Sequence, residues 1–168
     1  NPPAPFLAFP NSGPHLGIGY LLSYLKQFGI QADYLNLEAA DPKEVEIPLG
    51  YDFYGLSAVT AQYHYANRIR KQIQLPNLGS VLIGGVHASV LPHECIKDGW
   101  DYVVTGYGEK ALKRIVDGHE KRGIVSGSPI VNLDELPFPD WTKLSQDFDV
   151  SWGKKPGQII SMRGCPFT

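Results

Sequence analysis

The sequence lacks most of what would mark a secreted scaffold, a nucleic-acid binder or a membrane protein. Its 168 residues hold two cysteines, Cys95 and Cys165, far apart and in unlike contexts. A domain of this length needs no disulfide staple, so both read as free thiols in a reducing compartment. The net charge is only -2, and no block of Lys or Arg supplies the footprint of a nucleic-acid partner or a polybasic membrane patch. The apolar runs are broken by Gly, Lys or Gln well before the ~18 residues that would span a bilayer. No apolar leader segment follows the first residues. The expectation is a cytoplasmic chain with no membrane span and no nucleic acid. A Walker A loop is missing, which argues against phosphate-cradling NTPase chemistry. So is the Gly-x-Gly-x-x-Gly dinucleotide fingerprint, because Ala111 holds the place of the third glycine after Gly106 and Gly108.

Eighteen glycines and fourteen prolines, by contrast, are many for this length, and they punctuate a strand–helix alternation. Short apolar runs at 6–9, 53–59, 81–83 and 102–104, with an alternating run at 31–37, read as five strands. Helical patterns lie between them. One starts near Pro14, carries Leu21, Leu22, Leu25 and Phe28 on one face, and ends before Gly29. A second is capped by Thr60 and striped by Tyr65, Ile69 and Ile73; a short one covers 92–97. The last opens at Glu109, with Ala111, Leu112, Ile115 and Val116 inward. Near-continuous apolar strands belong to a sheet covered on both faces. The expected fold is therefore α/β, a flavodoxin-like (Rossmann-like) five-stranded parallel sheet of order 2-1-3-4-5. Residues 1–122 form the domain; the Pro-rich stretch 123–156 is an extended linker, and 157–168 begin something else.

In such a fold ligands bind outside the carboxyl ends of the strands, and the unusual residues gather at those ends. The first loop brings Ser12, Gly13, His15 and Gly17, with glycines that let backbone approach a ligand. An ordinary strand-to-helix turn accounts for it as well. The second loop offers the hydroxyls of Ser57 and Thr60, which a cap and a core contact explain equally well. The third, Gly84-Gly85-Val86-His87, opens a slot where side chains would stand and sets an imidazole beside it. The fourth combines Gly106, Tyr107 and Gly108 with Glu109 at a helix start.

Together these loops resemble the N-terminal half of cobalamin-dependent (B12-dependent) radical SAM proteins. The matching segments are Phe9-Pro10-Asn11-Ser12 with Leu16-Gly17-Ile18, Gly55-Leu56-Ser57, Ile83-Gly84-Gly85-Val86-His87 and Asp101-Tyr-Val-Val-Thr-Gly-Tyr-Gly-Glu109. Leu133-Asp-Glu-Leu-Pro-Phe-Pro-Asp-Trp141 resembles that family's interdomain linker, and Met162-Arg-Gly-Cys-Pro-Phe-Thr168 the start of its Cys-x3-Cys-x2-Cys motif. The resemblance implies a cobalamin-binding domain cut at Cys165, which would be the first ligand of a [4Fe–4S] cluster that binds S-adenosylmethionine. One thiolate cannot hold a cluster, so only the full-length parent would carry cluster and S-adenosylmethionine, and this fragment alone is not catalytic. The partner is then its own C-terminal radical SAM domain, whose first barrel strand would be 157–162, an orphan edge without neighbours. The resemblance assigns Ser57 and Thr60 to the cofactor's nucleotide tail, Gly84 and Gly85 to the groove wall, Gly106 to Gly108 to the far side, and the first loop to the space beneath the corrin ring. One departure is Val59, where the family often has Leu.

Many cobalamin domains ligate cobalt through Asp-x-His-x-x-Gly after the first strand. None of His15, His64, His87, His93 and His119 satisfies that spacing. The expectation is base-off cobalamin without a protein imidazole, with His15 as the reserve ligand. The family layout covers methyltransferases and ring cyclases. The competing reading is a degenerate domain that has lost the cofactor and serves as scaffold or substrate-recognition surface. A receiver domain would need acids where Asn11-Ser12 and Ser57-Ala58 stand, and a flavodoxin a hydroxyl-rich first loop; neither fits.

Overall fold

The computed structural model describes residues 1–5, 14–76, 78–144, 158 and 160–163. Two compact units divide the chain, one of residues 1–10 and 35–129, the other of 11–34 and 130–168. The first holds a sheet of four parallel strands in the order β1-β2-β3-β4: β1 Phe53–Ser57, β2 Ser80–Gly84, β3 Tyr102–Gly106 and β4 Gly123–Gly127. Between them run α2 Tyr63–Gln74, α3 Val86–Val90, α4 Pro92–Asp98 and α5 Gly108–Val116. Helix α1, Leu16–Gln27, and α6, Trp141–Leu144, belong to the second unit.

The strands alternate sides into two apolar clusters, as a sheet covered on both faces requires. Tyr54, Val81, Ile83 and Val103 pack with Tyr63, Ala66, Ile69 and Ile73 of α2, and with Ala88 and Cys95 of α3 and α4. Leu82, Val104 and Val125 point the other way, to Ala111 and Ile115 of α5. Each fully buried aliphatic side chain here is worth about 1.5–3 kcal/mol. The inward stripe of α2 begins at Tyr63 and Ala66 rather than at Tyr65, which is half-buried.

Three corrections to the sequence reading follow. Residues 31–37 alternate like a strand yet form none. The end of this segment bonds to the first residues: the Leu37 amide donates to the Asn1 carbonyl (3.0 Å), and the Ala4 amide to the carbonyl of the following Glu38 (3.1 Å). Pro2 and Pro3 lie between those bonds and have no N–H to donate, so no regular ladder can form. The expected strand at 6–9 lies outside the described residues. Conversely, Gly123–Gly127, expected as linker, pairs with β3 along its whole length. Among the described residues the sheet thus has four strands in chain order, not five in the order 2-1-3-4-5. Thr60 is not a helix cap either: it opens a 3-10 turn, Thr60–Gln62, and the Gln62 Oε1 accepts the Val59 amide at 3.3 Å.

In the second unit α1 ends as expected. The Ile30 and Gly29 amides close back on the carbonyls of Leu25 and Lys26, with Gly29 at φ +72°. Gly19 lies flat against α6, where a Cβ would stand 2.9 Å from Pro139. Lys143 donates to Asp33 (2.9 Å) and Lys26 to Asp140 (3.4 Å). Of the stretch 157–162, positions 158 and 160–162 are described, and none is in a strand. Among the described residues no helix is long and apolar enough to cross a membrane.

Candidate functional site

All four strands end in small residues. β1 closes with Ser57 before Ala58, β2 with Gly84 before Gly85, β3 with Thr105-Gly106 and β4 with Ser126-Gly127. This edge is stitched by backbone: the Ala58 amide donates to Gly84 O, and the His87 amide to Ala58 O, each at 3.2 Å. Gly85 turns the chain from β2 into α3 at φ +89° and ψ −168°, a region that essentially only glycine enters. A Cβ there would stand 3.0 Å from both the Ala58 carbonyl and the Ser57 hydroxyl. On the far side, Gly106 (φ +72°) leads through Tyr107 into α5, whose first residue is Gly108. The Ser89 hydroxyl donates to Gly85 O and accepts the Gly106 amide, both at 3.0 Å. The Thr105 hydroxyl donates to that of Ser126 at 3.5 Å.

The structure therefore brings Ser57, Thr60, Gly84, Gly85, His87, Gly106, Tyr107 and Gly108 to one sheet edge. It sets His87 beneath that edge rather than on it: 1% exposed, its ring stacked on Tyr63 at 3.7 Å, Nδ1 3.3 Å from Thr60 Oγ1. Its buried Nε2 has no hydrogen-bond partner among the described residues, so a polar group reaching it would satisfy a costly orphan. His15 precedes α1 and Gly17 lies in its first turn, both in the second unit. Ser12, Gly13 and Cys165 lie outside the described residues.

Sequence reasoning missed Ser89, Ser126, Gly127 and the network under Tyr63. The Tyr63 hydroxyl and the Asn67 amide both donate to Asp98 Oδ2 (2.8 and 2.7 Å), and Arg70 Nε donates to Asn67 Oδ1 (2.9 Å). This ties α4 to α2 and fixes the ring on which His87 rests. Burial, then the bond to Asp98, pushes the Tyr63 phenol far up, and burial raises the Cys95 thiol. The Tyr63 hydroxyl, followed by Asn67, holds the Asp98 carboxyl below the usual carboxylate range against the cost of its partial burial. A carboxyl lowered on folding stabilises fully above its unfolded value of about 4 and loses that contribution as pH falls through the lower folded value. Tyr63→Phe keeps the stacked ring but removes the donor. It is expected to cost about 1–2 kcal/mol at neutral pH and to move the acid-unfolding midpoint to higher pH. Circular dichroism against pH reads both, and an unmoved acid limb would refute the role given to this bond.

A polar cavity of about 450 Å³ lies at the opposite, amino edge of the sheet, lined by Asp52, Ser80, Asp101 and Arg122 among others. Its groups serve the fold: Asp101 accepts the Val81 amide at 2.9 Å and pairs with Arg122 at 3.0 Å. Among the described residues no group of three or more His, Cys, Asp or Glu side chains could hold a metal ion.

Each strand reaches the carboxyl edge of the parallel sheet, where such folds bind their ligands, on a small residue. A family model, the B12 binding domain, matches residues 6–116. The chain belongs to the B12-binding domain family. It is also similar to an uncharacterized methyltransferase of Pyrococcus horikoshii, 28% identical over 184 residues, a match that covers 93% of this chain and 39% of that protein. Among solved structures it is similar to the N-terminal domain of a hypothetical protein of Thermotoga maritima. That pair is 21% identical with a TM-score of 0.49, over 66% of this chain and 88% of the other. The residues of this B12-binding domain fit the cofactor: the strand ends carry only Ser, Thr and Gly, and the imidazole buried beside Thr60 keeps an orphan Nε2.

Proposed function

We propose that this B12-binding domain is the cobalamin module of a B12-dependent radical SAM enzyme of the methyltransferase or cyclase type, presenting cobalamin to its own C-terminal radical SAM domain. The observation that carries the reading is the row of Ser and Gly at all four strand ends over the buried His87. The relative named a methyltransferase, of which this chain spans 39%, supports it. Bound cobalamin supplies a cobalt-held methyl group or a one-electron partner for radical chemistry. The chain's own residues bind and orient: Ser57 and Thr60 present hydroxyls to the nucleotide tail, Gly84 and Gly85 wall the slot, and Gly106, Tyr107 and Gly108 close the far side. His87 reaches the tail through Nε2, its Nδ1 being occupied by Thr60. In the parent, Cys165 is the first ligand of a [4Fe–4S] cluster that binds S-adenosylmethionine.

We further propose base-off cobalamin with no protein imidazole on cobalt, since no histidine has the Asp-x-His-x-x-Gly spacing and His87 is committed below the edge. The protein is expected to take up hydroxocobalamin at micromolar concentration with a change in its visible spectrum. The EPR spectrum of the reduced complex should be free of nitrogen splitting from His15. A splitting that disappears in His15→Ala would overturn the ligation. No uptake at tens of micromolar would leave the domain a scaffold that has lost the cofactor.

A further inference from the structure

The sheet is unevenly paired. β1 with β2 and β3 with β4 are each in register over five residue pairs, but β2 with β3 over only two, Leu82 with Tyr102 and Ile83 with Val103. Past Ile83 and Val103 no further ladder pair joins β2 to β3, although a Cβ at Gly84 would still stand 3.9 Å from Val104. Gly85 and Gly106 both leave their strands at positive φ and have no side chains with which to anchor the loops they begin. What links the two loops beyond the ladder is Ser89, in the last turn of α3. Its hydroxyl donates to the Gly85 carbonyl and accepts the Gly106 amide. A serine that bonds back to the carbonyl four residues earlier is common in helices. The acceptance from Gly106, 17 residues on and on another strand, is not a local helix habit. One proton and two lone pairs let a single hydroxyl fill both roles. The side chain is exposed, so no packing requirement accounts for it.

We propose that Ser89 is a positioning residue that sets the spacing of the Gly85 and Gly106 loops, and with it the width of the slot offered to the cobalamin tail. The proposal rests on the reading of this edge as the cobalamin site. Replacement by alanine removes both bonds, while threonine keeps the hydroxyl at this exposed position.

The test titrates hydroxocobalamin by visible absorption into the wild-type protein, Ser89→Ala and Ser89→Thr, and follows hydrogen exchange of the Gly106 amide without cobalamin. Ser89→Ala is expected to bind roughly three- to tenfold more weakly, with Gly106 exchanging faster by a similar factor and the melting midpoint hardly changed. Ser89→Thr should restore both. Wild-type affinity in Ser89→Ala, or a well-folded Ser89→Thr that binds no better than the alanine variant, would overturn the proposal. If the wild-type protein takes up no cobalamin, the cobalamin reading fails on its own. Gly106 exchange then decides the bridge: faster in alanine and restored in threonine supports it, unchanged in alanine overturns it.

Discussion

Gly127→Ala is expected to lower the melting midpoint by roughly 4–12 °C, the consequence of about 2–3 kcal/mol of overpacking in a chain of this size. Gly127 ends β4 where the backbone between β3 and α5 crosses it. A Cβ at this position would overlap the Tyr107 carbonyl oxygen and stand 2.8 Å from the Tyr107 nitrogen. These are backbone atoms, so no rotamer change relieves the clash; the loop at Tyr107 or the end of β4 must move. If that loop closes the far side of the slot as proposed, cobalamin affinity should fall together with stability. Gly55→Ala is the control, since a Cβ on that strand residue meets nothing within 4 Å. Calorimetry of the two variants checks the account, and equal midpoints would end it.

The contrast between Gly127 and the other glycines shows what local patterning can convey. Gly84, Gly85, Gly106 and Gly108 follow apolar runs, so strand-end punctuation made them visible. Gly127 follows Gly-Ile-Val-Ser, a run with one buried residue, Val125, and its need for glycine comes from Tyr107, distant in sequence. The repeated Thr105-Gly106 and Ser126-Gly127 endings were the available signal. The interior strands β2 and β3 were legible because both faces are covered, giving unbroken Val/Ile/Leu runs. The segment 31–37 misled because its alternation is real, but the stretch it meets at Asn1 continues into Pro2 and Pro3, which have no N–H to carry a ladder on. The link from Tyr63 to Asp98 spans 35 residues, and no periodicity encodes such a pair. The same holds for Ser89 and Gly106, 17 residues apart and on different elements.

Gly85→Ala is expected to strike both folding and binding. At φ +89° and ψ −168° an L side chain costs about 1–3 kcal/mol in backbone strain alone. The added methyl would also press at 3.0 Å on Ala58 O, the acceptor that holds the His87 amide, and on the Ser57 hydroxyl. Relief of either pressure displaces the Ser57 hydroxyl or the Ala58 carbonyl that holds the His87 amide, so affinity for hydroxocobalamin should drop by roughly tenfold or more, the equivalent of about 1.4 kcal/mol. Stability and binding are confounded in that variant, and the neighbouring glycine separates them. A Cβ at Gly84 would meet only Val104, at an ordinary 3.9 Å, and its φ is not positive. Gly84→Ala should therefore melt close to the wild-type protein while placing a methyl group in the groove wall. Weaker uptake by a fully stable Gly84→Ala identifies the slot as the tail's seat. Wild-type uptake by both variants would move the cofactor off this edge.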